Sequence, residues 1–413
     1  MSTLLTYQQA LEVKNKFGTP CYVYDRAELE AAARRALALQ NLAPFGFTLR
    51  YAMKANPNRG VLAIFREMGL HLDASSDHEV ERALRAGFTP PSIQLTSQMP
   101  SSRLAEHLGR GVLYNACSLR QLDDVGQAAP GSEASVRMNP GDGSGGTKRT
   151  TTGGPDSSFG IWHEYLDEVK AHAKKFDLRI TRLHSHIGSG TDPEDWRRCA
   201  QMTLKLAAEL PDVRLINLGG GFSVGRVAGE ESVDMAEVGV RMRDELLAFH
   251  ERYHRKLHLE IEPGTYLVAN AGTVVATCVD VVDTGRAGRV FAKLDTGMCE
   301  VTRPTLYGAQ HPIHVLATGR PEAEVVFVGP CCESGDILTP APKDREALAS
   351  RRVPLPRIND LVLVGGAGAY CAAMSMINYN SYPQAPEVLR EPDGALRLLR
   401  SRQRLEQVWE NEV

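Results

Sequence analysis

From about residue 48 to residue 264, short apolar runs alternate with stretches whose apolar positions recur every three or four residues. The short runs are TLRYAMKA (48–55), LHLDASS (70–76), SIQLTS (92–97), VLYNACS (112–118), ASVRMNP (134–140), ITRLHSHIGS (180–189), LINLGGG (215–221) and KLHLEIEPG (256–264). Their length and apolar content predict strands. Helices are predicted between them, at 60–69, 77–87, 160–176 and 193–210 among others. In 77–87, Val80, Ala83 and Leu84 share one face, as a helix laid on a barrel requires. Eight strand–helix units in a row predict a closed parallel (β/α)8 barrel, assigned to residues 26–265, rather than an open sheet.

After Glu262 the rhythm changes. GTVVATCVDVVDT (272–284), RVFAKLD (289–295), EAEVVFVG (322–329) and DLVLVGG (360–366) are β-branched, separated by turns and without helical periodicity. They predict a mostly β C-terminal domain, residues 266–413 together with 1–25, in which the early run CYVYD (21–25) is a candidate strand. The Gly-, Ser- and Thr-rich stretch 139–160 reads as a long loop at the active face, a candidate lid rather than a linker.

Composition narrows the class. At 43% apolar and 23% charged the chain is globular, and its 413 residues suit two domains better than one core. A net charge of −3 gives no reason to expect nucleic acid or a membrane surface as partner. No run of eighteen apolar residues is present, and the opening MSTLLTYQQALEVKNKFG lacks a basic region followed by an apolar one. Eight scattered cysteines without C-x-x-C spacing read as reduced thiols. A cytoplasmic enzyme is the expectation.

The candidate strands tend to end in polar or glycine-rich sequence: Lys54, Asp73, Thr96, Asn115, Arg137, His184 and His186, Gly219–Gly221, then Glu260 and Glu262. In a parallel barrel those ends gather on one face, where active sites are built. Lys54, near the end of an apolar run, reads as a buried nucleophile with a lowered pKa or as a surface lysine just past a strand. Gly219, Gly220 and Gly221 would let backbone N–H groups approach a phosphate, or would form a turn; neither Walker nor dinucleotide spacing is present. His184 and His186 are a metal pair, a ring-stacking histidine near Ser189, or hydrogen-bonded core residues, and no convincing ligand set completes a metal site. Glu260 and Glu262 share one side of a strand, where a carboxylate facing a pyridine nitrogen would keep it protonated, or where a salt bridge would end the strand. CCESGD (331–336) offers a thiol and carboxylates in one loop, for proton donation and amine recognition or as a polar turn.

Taken together, YAMKANPN, HSHIGSG, NLGGGF, EIEPG, RPTLYGA, CCESGDIL and GAGAY stand in the order and spacing of the alanine-racemase-fold, pyridoxal-phosphate-dependent amino-acid decarboxylases. The chain resembles that family over nearly its whole length, and most of all the branch that converts meso-2,6-diaminopimelate to L-lysine and carbon dioxide. The resemblance implies the barrel-plus-β fold, pyridoxal 5'-phosphate as cofactor, and a homodimer whose active sites lie at the subunit interface. Lys54 matches the lysine that carries the cofactor as a Schiff base, His186 the residue stacked on its ring, and Glu262 the partner of the pyridine nitrogen. Ser189, Gly219, Gly220, Gly221 and Tyr370 match phosphate-binding positions, and Asp73 and Arg137 line the same pocket. Arg303 and Tyr307 match positions that bind the substrate or its carboxylate. Cys332 and Glu333 match the pair that reaches into the neighbouring subunit's site, Cys332 as a candidate proton donor beside Lys54 and Glu333 as partner of a distal ammonium.

One departure bears on specificity. The family motif is Glu-Pro-Gly-Arg, and here the fourth position is Thr265. Losing a guanidinium from a carboxylate or phosphate costs about 1–3 kcal/mol unless another cation replaces it. Either Arg303 or a lysine elsewhere compensates, or the substrate is a one-carboxylate basic amino acid such as D-lysine, D-ornithine or L-ornithine. His78, where relatives more often have glycine, is a smaller departure. A racemase of the same fold would need arginine at the pyridine nitrogen, which Glu262 argues against. A barrel metallohydrolase using His184 and His186 and a non-catalytic relative are the remaining alternatives.

Overall fold

The computed structural model describes residues 5–144, 151–342 and 344–413, so part of the 139–160 loop lies outside the described residues. Two compact units emerge: residues 30–224 with 231–267, and residues 5–29 with 225–230 and 268–413.

The first unit is the expected barrel. Its strands are Phe47–Ala52, His71–Ala74, Ile93–Leu95, Leu113–Ala116, Glu133–Asn139, Arg179–His184, Leu215–Asn217 and His258–Ile261. Each pairs in parallel with its predecessor and successor, and the last closes on the first through Leu259↔Phe47 and Glu260↔Thr48. Local chemistry starts the outer helices. Ser76 caps Asp77–Arg85 by accepting from the Glu79 N–H (3.1 Å), while the Glu79 carboxylate accepts from the Ser75 N–H (2.7 Å). Asp192 caps Pro193–Ala208, whose proline occupies the one turn that tolerates it. That helix buries Trp196, Cys199, Ala200, Thr203, Leu204 and Ala207, a stripe at three- and four-residue spacing.

The helix expected over 160–176 is shorter than its pattern. Residues Ile161–Trp162 pair with the end of the fifth barrel strand (Met138↔Ile161), and the helix proper runs from Leu166 to Lys175. Gly160, at φ +82°, brings the chain so close to Arg137 that a Cβ would sit 3.0 Å from the Arg137 carbonyl oxygen. Extended pairing on that strand therefore wins over helical periodicity.

The second unit is built on a nine-stranded sheet. Cys21–Asp25 lies in it, antiparallel to Gly272–Asp283 and parallel to Glu387–Arg390. Cys21, Val23, Val275, Leu361, Leu363 and Val388 form its core with Ala10 and Val13 of the helix Tyr7–Phe17. That helix starts in a capping box between Thr6 and Gln9.

Candidate active site

The axis of the barrel is polar. Arg50 makes two hydrogen bonds to Glu260 (2.9 and 3.0 Å), and Arg182 reaches the same carboxylate at 2.6 Å. Arg50 and Glu260 are both about 1% exposed. The two guanidiniums overcome burial and hold Glu260 below the usual carboxylate range. Two residues further along, just past the end of that strand, Glu262 accepts from Gln94 Nε2 (2.6 Å) and Asn217 Nδ2 (2.6 Å) and pairs with His184 Nε2 (3.0 Å). Burial pushes this carboxyl up, but His184 first and then Arg50 outweigh it and hold it at about 2. Glu262 is thus an anion fixed in an interior that excludes water.

Asp73 is shifted the other way. Burial and the Glu262 charge raise it well above the ordinary value, against the opposing pull of Lys54 and of hydrogen bonds from Thr96 and Gln94. Two neighbouring carboxyls are therefore pushed apart, Glu262 downward and Asp73 upward.

Around Glu262 the glycine triplet forms a tight corner. A Cβ on Gly219 would sit 2.7 Å from the His186 Cβ, one on Gly220 2.3 Å from the Glu262 carbonyl, and one on Gly221 1.8 Å from the Gly188 carbonyl. The three carbonyls accept from the Glu262 N–H, Trp196 Nε1 and the Gly190 N–H. The N–H groups of Gly220 and Gly221 have no acceptor among the described residues. Ser189 follows Gly188 against the same corner. Burial, then the charges of Arg137 and Lys54, hold the His186 imidazole well below its ordinary pKa, so it is neutral. Its Nδ1 and Arg137 Nη2 are shut from solvent and have no hydrogen-bond partner among the described residues. The barrel thus gathers Asp73, Arg137, His186, Ser189, Gly219, Gly220, Gly221 and Glu262, with the Lys54 charge acting on Asp73 and His186. Of the two readings of Lys54, the structure matches the lysine just past a strand. It sits in the turn Met53–Ala55 just past the first strand with its side chain exposed, because Tyr51, Met53 and Ala55 take the buried positions.

The remaining candidates belong to the other unit. Arg303 Nη1 donates to His311 Nε2 (3.1 Å), and His311 Nδ1 donates to the Gly365 carbonyl (2.8 Å), which fixes the imidazole tautomer. The Tyr307 hydroxyl lies 3.9 Å from the Met374 sulfur. Tyr370 closes GAGAY at φ 55°, a left-handed backbone that bulky side chains rarely adopt. Cys332 and Glu333 are exposed on a loop whose shape is set by Asp336. That buried carboxylate accepts from the Met298 N–H (2.7 Å) and the Cys331 N–H (2.9 Å), while Asn380 accepts from the Cys332 N–H (2.8 Å).

Sequence reasoning missed the supports: Arg50, Gln94, Arg182 and Asn217 around the two glutamates, and His311 behind Arg303. A signal existed for some of them. Arg50, Gln94 and Asn217 are polar residues inside apolar runs, and Gln94 precedes Thr96 by two, the period that puts both on one face.

Residues 26–269 match the family model for the pyridoxal-dependent decarboxylases, pyridoxal binding domain. The chain is 39% identical over 403 residues to diaminopimelate decarboxylase of Streptomyces coelicolor, covering 94% of this chain and 87% of that one. It is 35% identical to the Escherichia coli K12 enzyme of the same name, covering 98% and 96%. A crystal structure of diaminopimelate decarboxylase superposes with a TM-score of 0.89 at 33% identity, covering 97% of this chain and 95% of that one. That of the Helicobacter pylori enzyme complexed with L-lysine superposes at 0.87 and 26%, covering 97% and 98%. With a polar-mouthed barrel matched by the family model and whole-chain likeness to its members, this chain belongs to the pyridoxal-dependent decarboxylases.

Proposed function

We propose that this chain decarboxylates meso-2,6-diaminopimelate to L-lysine, working as a cytoplasmic homodimer with shared active sites. The observation that carries the decarboxylase reading is Glu262, buried, held anionic at about 2 and fixed by three side chains at the mouth of the barrel. The residues fit pyridoxal phosphate on three counts. An anion stands where a pyridine nitrogen needs one, a neutral imidazole adjoins it, and the glycine corner turns two unsatisfied N–H groups toward no other acceptor among the described residues. Bound there, the cofactor supplies a conjugated system that accepts the electron pair left when the Cα–carboxylate bond breaks.

Each residue then has a task. The Lys54 amine, exposed at the rim, would hold the cofactor there. Glu262 holds a proton on the ring nitrogen, and Gln94, Asn217 and His184 keep the carboxylate from turning away. Gly219–Gly221 and Ser189 seat the phosphate, and neutral His186 offers a flat face without a competing charge. Cys332 or Lys54 returns a proton to Cα, and Glu333 pairs with the distal ammonium. Carbon dioxide release from meso-diaminopimelate, D-lysine, D-ornithine, L-ornithine and L-arginine, offered side by side to the loaded enzyme, tests the reading. A clear preference for diaminopimelate supports it; a preference for a one-carboxylate substrate rejects it. Lys54→Ala is expected to lose covalent cofactor, and retained cofactor reducible by borohydride would move the attachment point elsewhere.

A further inference from the structure

Thr265 stands where the family motif has arginine, and the unit that carries Arg303 also holds Arg226, which makes no salt bridge to a carboxylate among the described residues. Arg226 lies in the segment Gly225–Glu230, a short strap that packs with that unit although it falls between two stretches of barrel sequence. Asn270 Nδ2 donates to the Gly225 carbonyl (3.1 Å), and the Arg226 N–H donates to Glu230 Oε2 (2.9 Å), closing the strap into a tight turn. Arg226 Nε donates to the Gly366 carbonyl at 3.1 Å. Gly366 is at φ +63°, and a Cβ on it would lie 2.8 Å from the Arg226 Cδ, so glycine is what lets the arginine lie against GAGAY. Arg226 Nη2 is shut from solvent and bonded to nothing among the described residues.

Arg303 is its electrostatic neighbour. Burial first, and the Arg303 charge second, push Arg226 down to about 9. Neutral acceptors on adjoining residues seat the two: His311, held by the Gly365 carbonyl through Nδ1, takes one Arg303 N–H at Nε2, and the Gly366 carbonyl takes the Arg226 Nε–H. Neither guanidinium makes a salt bridge to a side-chain carboxylate among the described residues. Two arginines held at interacting distance by neutral acceptors, one with an idle buried N–H edge, make a site that an anionic carboxylate satisfies in both charge and geometry.

We propose that Arg226 is a specificity residue that, with Arg303, binds the carboxylate on the non-reacting end of the substrate. This rests on the reading of the substrate as a diamino dicarboxylic acid. Removing one carboxylate leaves the other on the product, so L-lysine presents the same group to the pair, whereas cadaverine keeps both amines and presents none.

The test uses loaded wild-type enzyme, Arg226→Gln and Arg226→Lys. It measures steady-state decarboxylation of meso-diaminopimelate and inhibition by L-lysine and by cadaverine. For Arg226→Gln, KM for diaminopimelate and the inhibition constant of L-lysine should both rise by about 10–100-fold, with kcat changed far less. The inhibition constant of cadaverine should stay within about twofold, and Arg226→Lys should recover part of the loss. Unchanged lysine inhibition overturns the proposal. So does cadaverine inhibition weakening in step with lysine, which would mark Arg226 as a support of the fold. If the wild-type enzyme itself prefers a one-carboxylate substrate, the functional reading falls and takes this inference with it. Full diaminopimelate activity with an indifferent Arg226→Gln sinks the inference alone.

Discussion

Glu262 and Asp73 are the same functional group shifted in opposite directions, and the shift at Glu262 has measurable consequences. Glu262 is held at about 2 against an ordinary 4.5, so the unfolded chain takes up its proton more readily than the folded one. Its contribution to stability is therefore full above about pH 4.5 and is lost as the pH falls toward 2. Glu262→Gln removes that contribution while keeping a side chain able to hydrogen-bond. The stability difference between wild type and Glu262→Gln, measured by urea unfolding, should shrink between pH 6 and pH 3; a constant difference would mean the carboxylate is not charged. The same variant should lower kcat by about 100-fold or more with cofactor still bound, because a preorganised charge at the reacting system is removed. A near-normal kcat would take Glu262 out of the chemistry.

Among elements, the glycine corner and the CCESGD loop are the parts least able to absorb change. Gly221→Ala meets both a φ of +92° and a carbonyl oxygen 1.8 Å from the new Cβ. It is expected to cost about 1–3 kcal/mol or more and to weaken cofactor binding, read by thermal melting and by absorbance titration with pyridoxal phosphate. Unchanged cofactor affinity would show that the corner does not hold the phosphate. Asp336→Ala strips two backbone N–H groups of their acceptor and should destabilise by about 1–3 kcal/mol while lowering turnover through the displaced Cys332. The strands were legible in the sequence because each apolar run was short and ended in a polar residue. The helix at 160–176 was misjudged because its first residues belong to an extension of the fifth strand, and such pairing leaves no local trace. The supports Arg50, Gln94 and Asn217 stand out as polar residues inside apolar runs, but their partners do not. An alternating strand does not announce which face points inward until the barrel closes.

At the scale of the whole molecule, the barrel and the β-rich end were readable from the switch in periodicity after Glu262. The strap 225–230 was not, since nothing in its composition says which unit it joins. Assembly has its own test. If Cys332 and Glu333 act in the neighbouring subunit's site, Lys54→Ala and Cys332→Ala enzymes, each nearly inactive, should regain activity when mixed and allowed to exchange subunits. Random pairing gives about a quarter of native activity, because half of the dimers carry one intact site. No recovery after demonstrated exchange would assign both residues to one subunit's site.

The placement of the strap also bears on inheritance. A gene segment that encodes the barrel carries Arg226 with it, while Gly366 and Asn270, which seat the strap, are encoded after the barrel ends. Chimeras that join this barrel to a relative's β-rich end will separate the arginine from its seat unless the relative also has glycine there. Such hybrids should keep the chemistry of the cofactor and lose discrimination between amino acids, so reaction and specificity are not inherited as one block.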